Sequence, residues 1–301
     1  MHLGNVFCAL LSWLSAKSKG GEWHLRIEDI DPDRSRRDFA LQLMDDLQWL
    51  GLPWDGEVVW QSQRGDIYAH YLERLTDAAL TYPCYCTRAD IMATQAPHET
   101  DGRIVYAGTC RGRKRDEMDE NVPHATRFMV PDEDIRFVDG HYGEQCVNLA
   151  KHCGDYILRR KDGAWAYQLA VVVDDALMGI TEVVRGRDLL LSTPQQLHLY
   201  RTLATLNTPP KGGQGVSLGG MEISYIHHPL LINEFGQRLC KRDKSLDLSV
   251  LREKHRNPDE IIGFLAFLAG ILPSPTPLKP QDLLPLFSWQ KVPTEDIEVS
   301  L

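Results

Sequence analysis

Three observations predict an α/β fold. The first eighty or so residues alternate helical and extended patterns in the order helix, strand, helix, the rhythm of an α/β layer rather than of a sandwich or a bundle. Extended signal returns at 167–173 and 180–184, after an interval without clean periodicity. With 301 residues and 43% apolar content, the chain can bury a full core and carry a second, smaller module beside it.

Each element has a local reason. Val6, Leu10, Leu11 and Leu14 fall at helical spacing and Gly20-Gly21 ends the run, so a helix precedes a strand over 23–27. That strand stops on charge, because His24-Leu25-Arg26-Ile27 opens into Glu28-Asp29-Ile30-Asp31 and then into arginines interleaved with Asp and Ser. Ser35, with Asp38 three residues on, reads as an N-cap. Phe39, Leu43, Leu47 and Leu50 mark one face of the helix that follows, closed by Gly51 and Pro53. A further helix fits 65–80. Between 84 and 150 cysteines, glycines and the mixed-charge run 111–120 replace periodicity, which reads as an insertion. Tyr167–Val173 and Ile180–Val184 read as strands, and Pro194 opens a helix bearing Leu197, Leu199, Tyr200 and Leu203. The stretch 211–220, with five glycines, lacks the strand-loop-helix setting of a phosphate loop and reads as a surface loop. PLLINEFGQRLCKRDKS reads as a hairpin turning at Asn233–Gly236, and the tail from 246 is helical to about 271 and then proline-rich.

The bulk numbers exclude several classes. No apolar stretch reaches the roughly 18 residues of a membrane span, and residues 6–16 make a poor signal peptide, so a cytoplasmic protein is expected. A net charge of -9 removes the general attraction of a nucleic-acid coat protein, so any nucleic acid must be held by a local patch. Seven cysteines, an odd and unevenly spaced set, argue against a disulfide framework in a reducing compartment. Clustered cysteines are then metal candidates.

Cys84-Tyr85-Cys86 with Cys110 is such a cluster, since a C-x-C pair at a turn can converge two thiolates on one ion. Tetrahedral zinc needs one more ligand, for which Tyr106, His98, Glu99, Cys146 and Cys153 compete; buried cysteines packing as small apolar groups are the plainer reading. Arg185 and Arg187 follow a strand, at the end where open α/β sheets place ligands, although a surface ion pair explains them equally. Tyr167 reads as a core aromatic and Lys241 as a solvated loop charge. His2 and Asn5 begin the first helix, whose amides and dipole favour an anion.

Taken together the motifs resemble the class I aminoacyl-tRNA synthetases. MHLGN is similar to their HIGH motif, LRIEDIDPDRS matches the glutamyl subclass, and RLCKRD stands where KMSKS does. AYQLAVVVDDALMGITEVVRGRDLL resembles the glutamate-site segment of that subclass, so the likeness runs from residue 1 to about 270. It implies a Rossmann-like parallel-sheet catalytic domain over 1–83 and 151–245, a zinc-binding insertion over 84–150 and a short helical C-terminal segment over 246–301. It also implies that Glu28 accepts from the ammonium group of glutamate, that the Arg185 fork binds its side-chain carboxylate and that Tyr167 completes the pocket. His2, Asn5 and Lys241 would hold ATP, with His2 and Lys241 catalytic and Mg²⁺ as co-substrate, and Cys84, Cys86, Tyr106 and Cys110 would hold a structural Zn²⁺. Little follows the KMSKS-like loop, whereas a full glutamyl-tRNA synthetase carries a long anticodon-binding region. That shortening resembles the glutamyl-queuosine tRNA(Asp) synthetases, which implies L-glutamate, ATP and queuosine-containing tRNA(Asp) as partners. The alternatives are a truncated glutamyl-tRNA synthetase charging tRNA(Glu) and a non-catalytic tRNA-binding paralogue.

Departures from the pattern shape further expectations. Family members open with a strand near RFAPSPTG ahead of the first motif, so the recorded sequence is expected to be N-terminally incomplete. Asn5 replaces the second histidine of HIGH, and Cys240 and Arg242-Asp243 replace the serines around Lys241, which implies slower activation. Arg111, Arg113, Lys114 and Arg115 either touch tRNA phosphates or form a solvated charged loop with the acids that follow.

Overall fold

The computed structural model describes residues 1–31, 35–93, 105–112, 122–206, 223–239 and 247–299. Helix α1 (Leu3–Ser18) buries Val6, Phe7, Leu10, Leu11 and Leu14 along one side and ends at Gly20, whose φ of 71° suits glycine. Of the strand expected over 23–27, only β1 (Arg26–Ile27) is paired, in parallel with β2 (Val59–Trp60). The reason is local: the Trp23 amide donates to Asp55 Oδ2 at 2.7 Å, so this stretch turns toward the 55 loop instead of a strand. Between these strands lies α2 (Arg37–Trp49). Arg36, not Ser35, occupies its cap position, with no side-chain cap bond, and the Ser35 amide donates to the Asp31 carbonyl at 2.9 Å.

Helix α3 (Gly65–Asp77) leads to β3 (Thr81–Cys84) and the short α4 (Arg88–Ala93). Then follow β4 (Ala125–Phe128), β5 (Asp134–Asp139), β6 (Gly143–Asn148), the single turn α5 (Leu149–His152) and β7 (Tyr156–Arg159). The described strands of 84–150 join sheets with strands outside that range: β4 pairs antiparallel with β3 and β7, and β5 lies in a sheet with strands further along the chain. Downstream come α6 (Tyr167–Leu177), β8 (Glu182–Gly186), α7 (Thr193–Thr205) and β9 (Ser224–His228). The largest sheet has the order β6-β5-β9-β8, with β5-β9 and β9-β8 parallel and β5-β6 an antiparallel pair. Parallel central strands with crossing helices are the α/β architecture expected from the alternation of elements.

Tyr167–Val173 is helix, not strand. Leu169, Ala170, Val171, Val172, Val173, Asp174 and Asp175 are all buried in α6, and a helix with no solvent face displays an unbroken apolar run in place of a 3.6-residue period. The expected hairpin is present: β10 (Leu231–Ile232) turns at Asn233–Gly236, and the Leu239 amide returns to the Leu231 carbonyl at 3.0 Å. In the tail, α8 (Leu248–Lys254) and α9 (Pro258–Leu268) pack into the same apolar cluster as α1 and α2. The proline-rich end holds the single turn α10 (Pro280–Leu283) and β11 (Ile297–Glu298), which pairs in parallel with β10. Among the described residues no helix is long and apolar enough to cross a membrane.

One buried carboxylate ties α6 to its surroundings. Asp174, wholly buried, accepts from Gln61 Nε2 at 2.8 Å, Arg64 Nε at 2.6 Å and Tyr68 Oη at 2.8 Å. Removing it leaves three donors unpaired in a dry site, so Asp174→Ala is expected to cost about 3–5 kcal/mol in chemical denaturation. A loss below about 1 kcal/mol would show that the network adds little.

Candidate active site

The site forms where β1 and β8 end. A cavity of about 680 Å³ separates these two strands over α1, and Asn5, Arg26, Glu28, Asp175, Thr181 and Val183 contribute to its walls. Strand β1 aims Arg26 across the gap: its Nη1 donates to Asp175 Oδ1 at 2.6 Å and its Nη2 to Glu28 Oε1 at 3.2 Å. Glu28 keeps 41% of its side chain open to this cleft. Desolvation by the cleft walls pushes its carboxyl above the ordinary range, opposed by Arg26, and its open side moderates the effect. Asp175 is likewise pushed up by burial against the pull of Arg26.

Arg185, on β8, is buried and heavily engaged. Its Nε donates to His227 Nε2 at 3.0 Å, Nη1 to Gln196 Oε1 at 2.7 Å, and Nη2 to Thr193 Oγ1 at 2.8 Å and the Leu189 carbonyl at 3.4 Å. The Tyr225 ring lies 5.2 Å from its guanidinium carbon. A guanidinium has five N–H groups, so one on Nη1 remains. The two-pronged grip expected from the family motif therefore has only one unassigned prong from this residue.

Tyr167 opens α6, and Gln196 near it donates to Gln168 Oε1 at 2.8 Å. Burial holds the Tyr167 phenol above the usual range, with Arg185 pulling it down and Glu28 pushing it up. Tyr167 and Glu28 do not share one wall. Glu28 faces the cavity between β1 and β8, whereas Tyr167 faces a neighbouring cavity of about 580 Å³ bordered by Gln168, Asp188 and Gln195. Arg187, weighed with Arg185 in the sequence, is a surface residue paired at 2.5 Å with Asp296. His2 sits at the start of α1, its amide donating to Asn5 Oδ1 at 3.4 Å. The ring rests over Gly4, where an added Cβ would meet His2 Cε1 at 3.1 Å. Lys241 lies outside the described residues.

Arg26, Asp175, Gln196 and His227 were not singled out in the sequence. Arg26 carried a signal, being the cation immediately before the acidic turn. Gln196 and His227 stand among other polar residues of α7 and β9, so no local cue marks them.

The cysteine cluster is assembled. The sulfurs of Cys84, Cys86 and Cys110 lie within 4.8 Å of one another and could hold a metal ion. Cys86 Sγ is 3.5 Å from Cys110 Sγ, and Tyr106 Oη is 3.4 Å from Cys84 Sγ and 3.6 Å from Cys86 Sγ. A tetrahedral ion with bonds of about 2.3 Å to sulfur sets its ligand atoms about 3.5–3.8 Å apart, so these spacings fit. Tyr106 is fixed from two sides: Arg127 stacks on its ring at 3.7 Å, and its backbone runs against Gly154, where a Cβ would come within 2.3 Å of the Tyr106 carbonyl oxygen. Cys146 is exposed, and Cys153 turns to the Leu149 carbonyl, so neither joins the cluster. His98 and Glu99 lie outside the described residues. Arg111 is drawn inward to Asp155 at 3.3 Å, and 113–115 also lie outside the described residues.

Residues 1–274 match the family of class I tRNA synthetases (E and Q), catalytic domain, and the chain belongs to that family. It is thus a ligase of the aminoacyl-tRNA synthetase type. Curated relatives include the glutamyl-Q tRNA(Asp) synthetase of Symbiobacterium thermophilum, 43% identical over 99% of this chain and 92% of its own length. That of Nitratidesulfovibrio vulgaris is 42% identical over 99% of this chain and 91% of its own. Among solved structures, a glutamate tRNA ligase from Elizabethkingia meningosepticum in complex with its amino acid is 26% identical with a TM-score of 0.78, covering 100% of this chain and 64% of that one. A glutamate-tRNA synthetase from Elizabethkingia anophelis gives a TM-score of 0.79 at 26% identity, with 66% of its chain covered. The chain spans about two thirds of these longer synthetases.

Proposed function

We propose that the protein activates L-glutamate with ATP and transfers it to the queuosine base of tRNA(Asp) in the cytoplasm. The amino-acid assignment is supported by two strand ends: Glu28 follows β1 at the wall of the cavity, and Arg185, buried near the end of β8, keeps one Nη1 hydrogen unassigned. The acceptor assignment is supported by relatives of that printed name, which match this chain along almost its whole length. In this reading Glu28 accepts from the substrate ammonium, and the remaining Nη1 hydrogen of Arg185 with the Tyr167 hydroxyl meets the side-chain carboxylate. His2, Asn5 and Lys241 hold the nucleotide, with Lys241 offsetting charge on the phosphates. Mg²⁺ accompanies ATP as counter-charge.

The α-carboxylate of glutamate attacks the α-phosphorus of ATP in line and pyrophosphate leaves. An acceptor hydroxyl then attacks the mixed anhydride carbonyl and releases AMP. Positioning and charge stabilisation carry both steps, and no enzyme nucleophile is needed. The ion held by Cys84, Cys86, Cys110 and Tyr106 is Zn²⁺ in a closed structural role.

Glutamate-dependent ATP–pyrophosphate exchange without tRNA tests the first step. Exchange excludes a non-catalytic tRNA-binding role, and an absolute requirement for tRNA points instead to an ordinary glutamyl-tRNA synthetase. Transfer to queuosine-containing tRNA(Asp), and none to tRNA(Asp) lacking the modified base, is the expected second result; charging of a periodate-sensitive terminal ribose would overturn it. Because Glu28 must be ionised to hold an ammonium group and its carboxyl is pushed up, the KM for glutamate is expected to climb as pH falls, starting above the ordinary carboxylate range. Glu28→Gln should weaken binding and flatten that dependence.

A further inference from the structure

We infer that Asp139 and His227 are positioning residues that aim the Arg185 guanidinium by fixing a single tautomer of the His227 ring. This goes beyond the proposed glutamate pocket and rests on the assignment of Arg185 to it. Three adjacent strands carry the arrangement. Arg185 on β8 and His227 on β9 are register partners, and Asp139 closes β5 on the other side of β9. Both Asp139 and His227 have side chains with 0% exposure.

Donor geometry decides the protonation state. His227 Nε2 receives the Arg185 Nε–H at 3.0 Å, with Thr193 Oγ1 3.3 Å away. An arginine nitrogen can only donate, so Nε2 carries no proton. The proton is then on Nδ1, which points at Asp139 Oδ2 at 2.6 Å. Asp139 is equipped to remain ionised, since its Oδ1 accepts from the amides of His141 at 3.0 Å and Tyr142 at 2.9 Å. Burial holds His227 below the ordinary imidazole range, which agrees with a neutral ring. It also holds no post beside the reacting atoms, because Arg185, Thr193 and Asp139 occupy both ring nitrogens. A neutral ring locked in this tautomer uses the Nε edge of Arg185 and leaves the substrate to the Nη1 side.

Asp139→Asn keeps the shape but lets the amide NH₂ donate to Nδ1, which drives the proton to Nε2, where it opposes the Arg185 Nε–H. The expected result is a KM for glutamate raised on the order of 10- to 100-fold in pyrophosphate exchange, with the KM for ATP within about 3-fold. His227→Gln with Asp139 intact, whose Oε1 can accept the Arg185 Nε–H while its NH₂ donates to the carboxylate, should hold glutamate KM within about 5-fold of wild type. Nitrogen-15 spectra of the histidine rings read the tautomer independently of activity: a protonated Nδ1 on His227 in the wild type, a protonated Nε2 in Asp139→Asn. An unaltered tautomer, or equal rises in the two KM values with a fall in Tm, would mark a purely structural pair and overturn the inference. Arg185→Lys separates the two levels. If it leaves glutamate KM unchanged, the pocket assignment fails first; if it raises KM while Asp139→Asn does not, only the positioning role falls.

Discussion

Arg185→Lys is expected to lower kcat/KM for glutamate about 10³-fold, roughly 4 kcal/mol, in pyrophosphate exchange. Lysine keeps the charge, so the loss isolates the planar fork. One ammonium has three donors on a flexible stem and cannot meet His227, Gln196 and Thr193 together while still presenting a hydrogen to substrate. Because the site is buried, the acceptors left behind are not rewetted, and some fall in Tm should accompany the kinetic loss. The diagnostic part is selectivity: the KM for ATP should stay within about 3-fold of wild type. A variant that exchanges pyrophosphate normally at low glutamate would remove Arg185 from the pocket.

The second large effect belongs to the cysteine cluster. Purified protein is expected to carry about one equivalent of zinc, and Cys86→Ser to carry less than about 0.2 equivalents, by metal analysis. Cys84, Cys110 and Tyr106 come from segments on either side of a long interval, so their ion ties β3 to the 105–112 stretch. Losing it should lower Tm by about 5–10 °C, and a chelator should do the same to the wild type. Cys146→Ser, at an exposed position outside the cluster, should change neither quantity. Metal-free protein of unaltered stability would make the three thiols ordinary packing.

Glu28 entered only through the resemblance to the family's motif, and on spacing alone a surface ion pair explained Arg185 equally well; its burial beside His227, Gln196 and Thr193 is a matter of the fold. The C-x-C pair and Cys110 were legible because metal ligation constrains spacing. The assignment of Tyr167 to a strand shows where this reading stops: Val171, Val172 and Val173 favour extended backbone, and the burial of every residue from Leu169 to Asp175 explains why the period is absent.

By itself the amino-acid sequence determined the helices with a solvent face, such as α1 and α3, where charge follows a strand, and which thiols can converge, because each is settled by neighbours within a few residues. Tertiary structure alone decided what those groups face. Arg185 meets His227 across 42 residues and His227 meets Asp139 across 88, through the pairing of β8 with β9 and of β9 with β5. Strand pairing follows the burial of whole faces, a property no local window contains. Which hydrogen of Arg185 remains for a substrate is therefore a consequence of the sheet, not of the motif that carries the arginine.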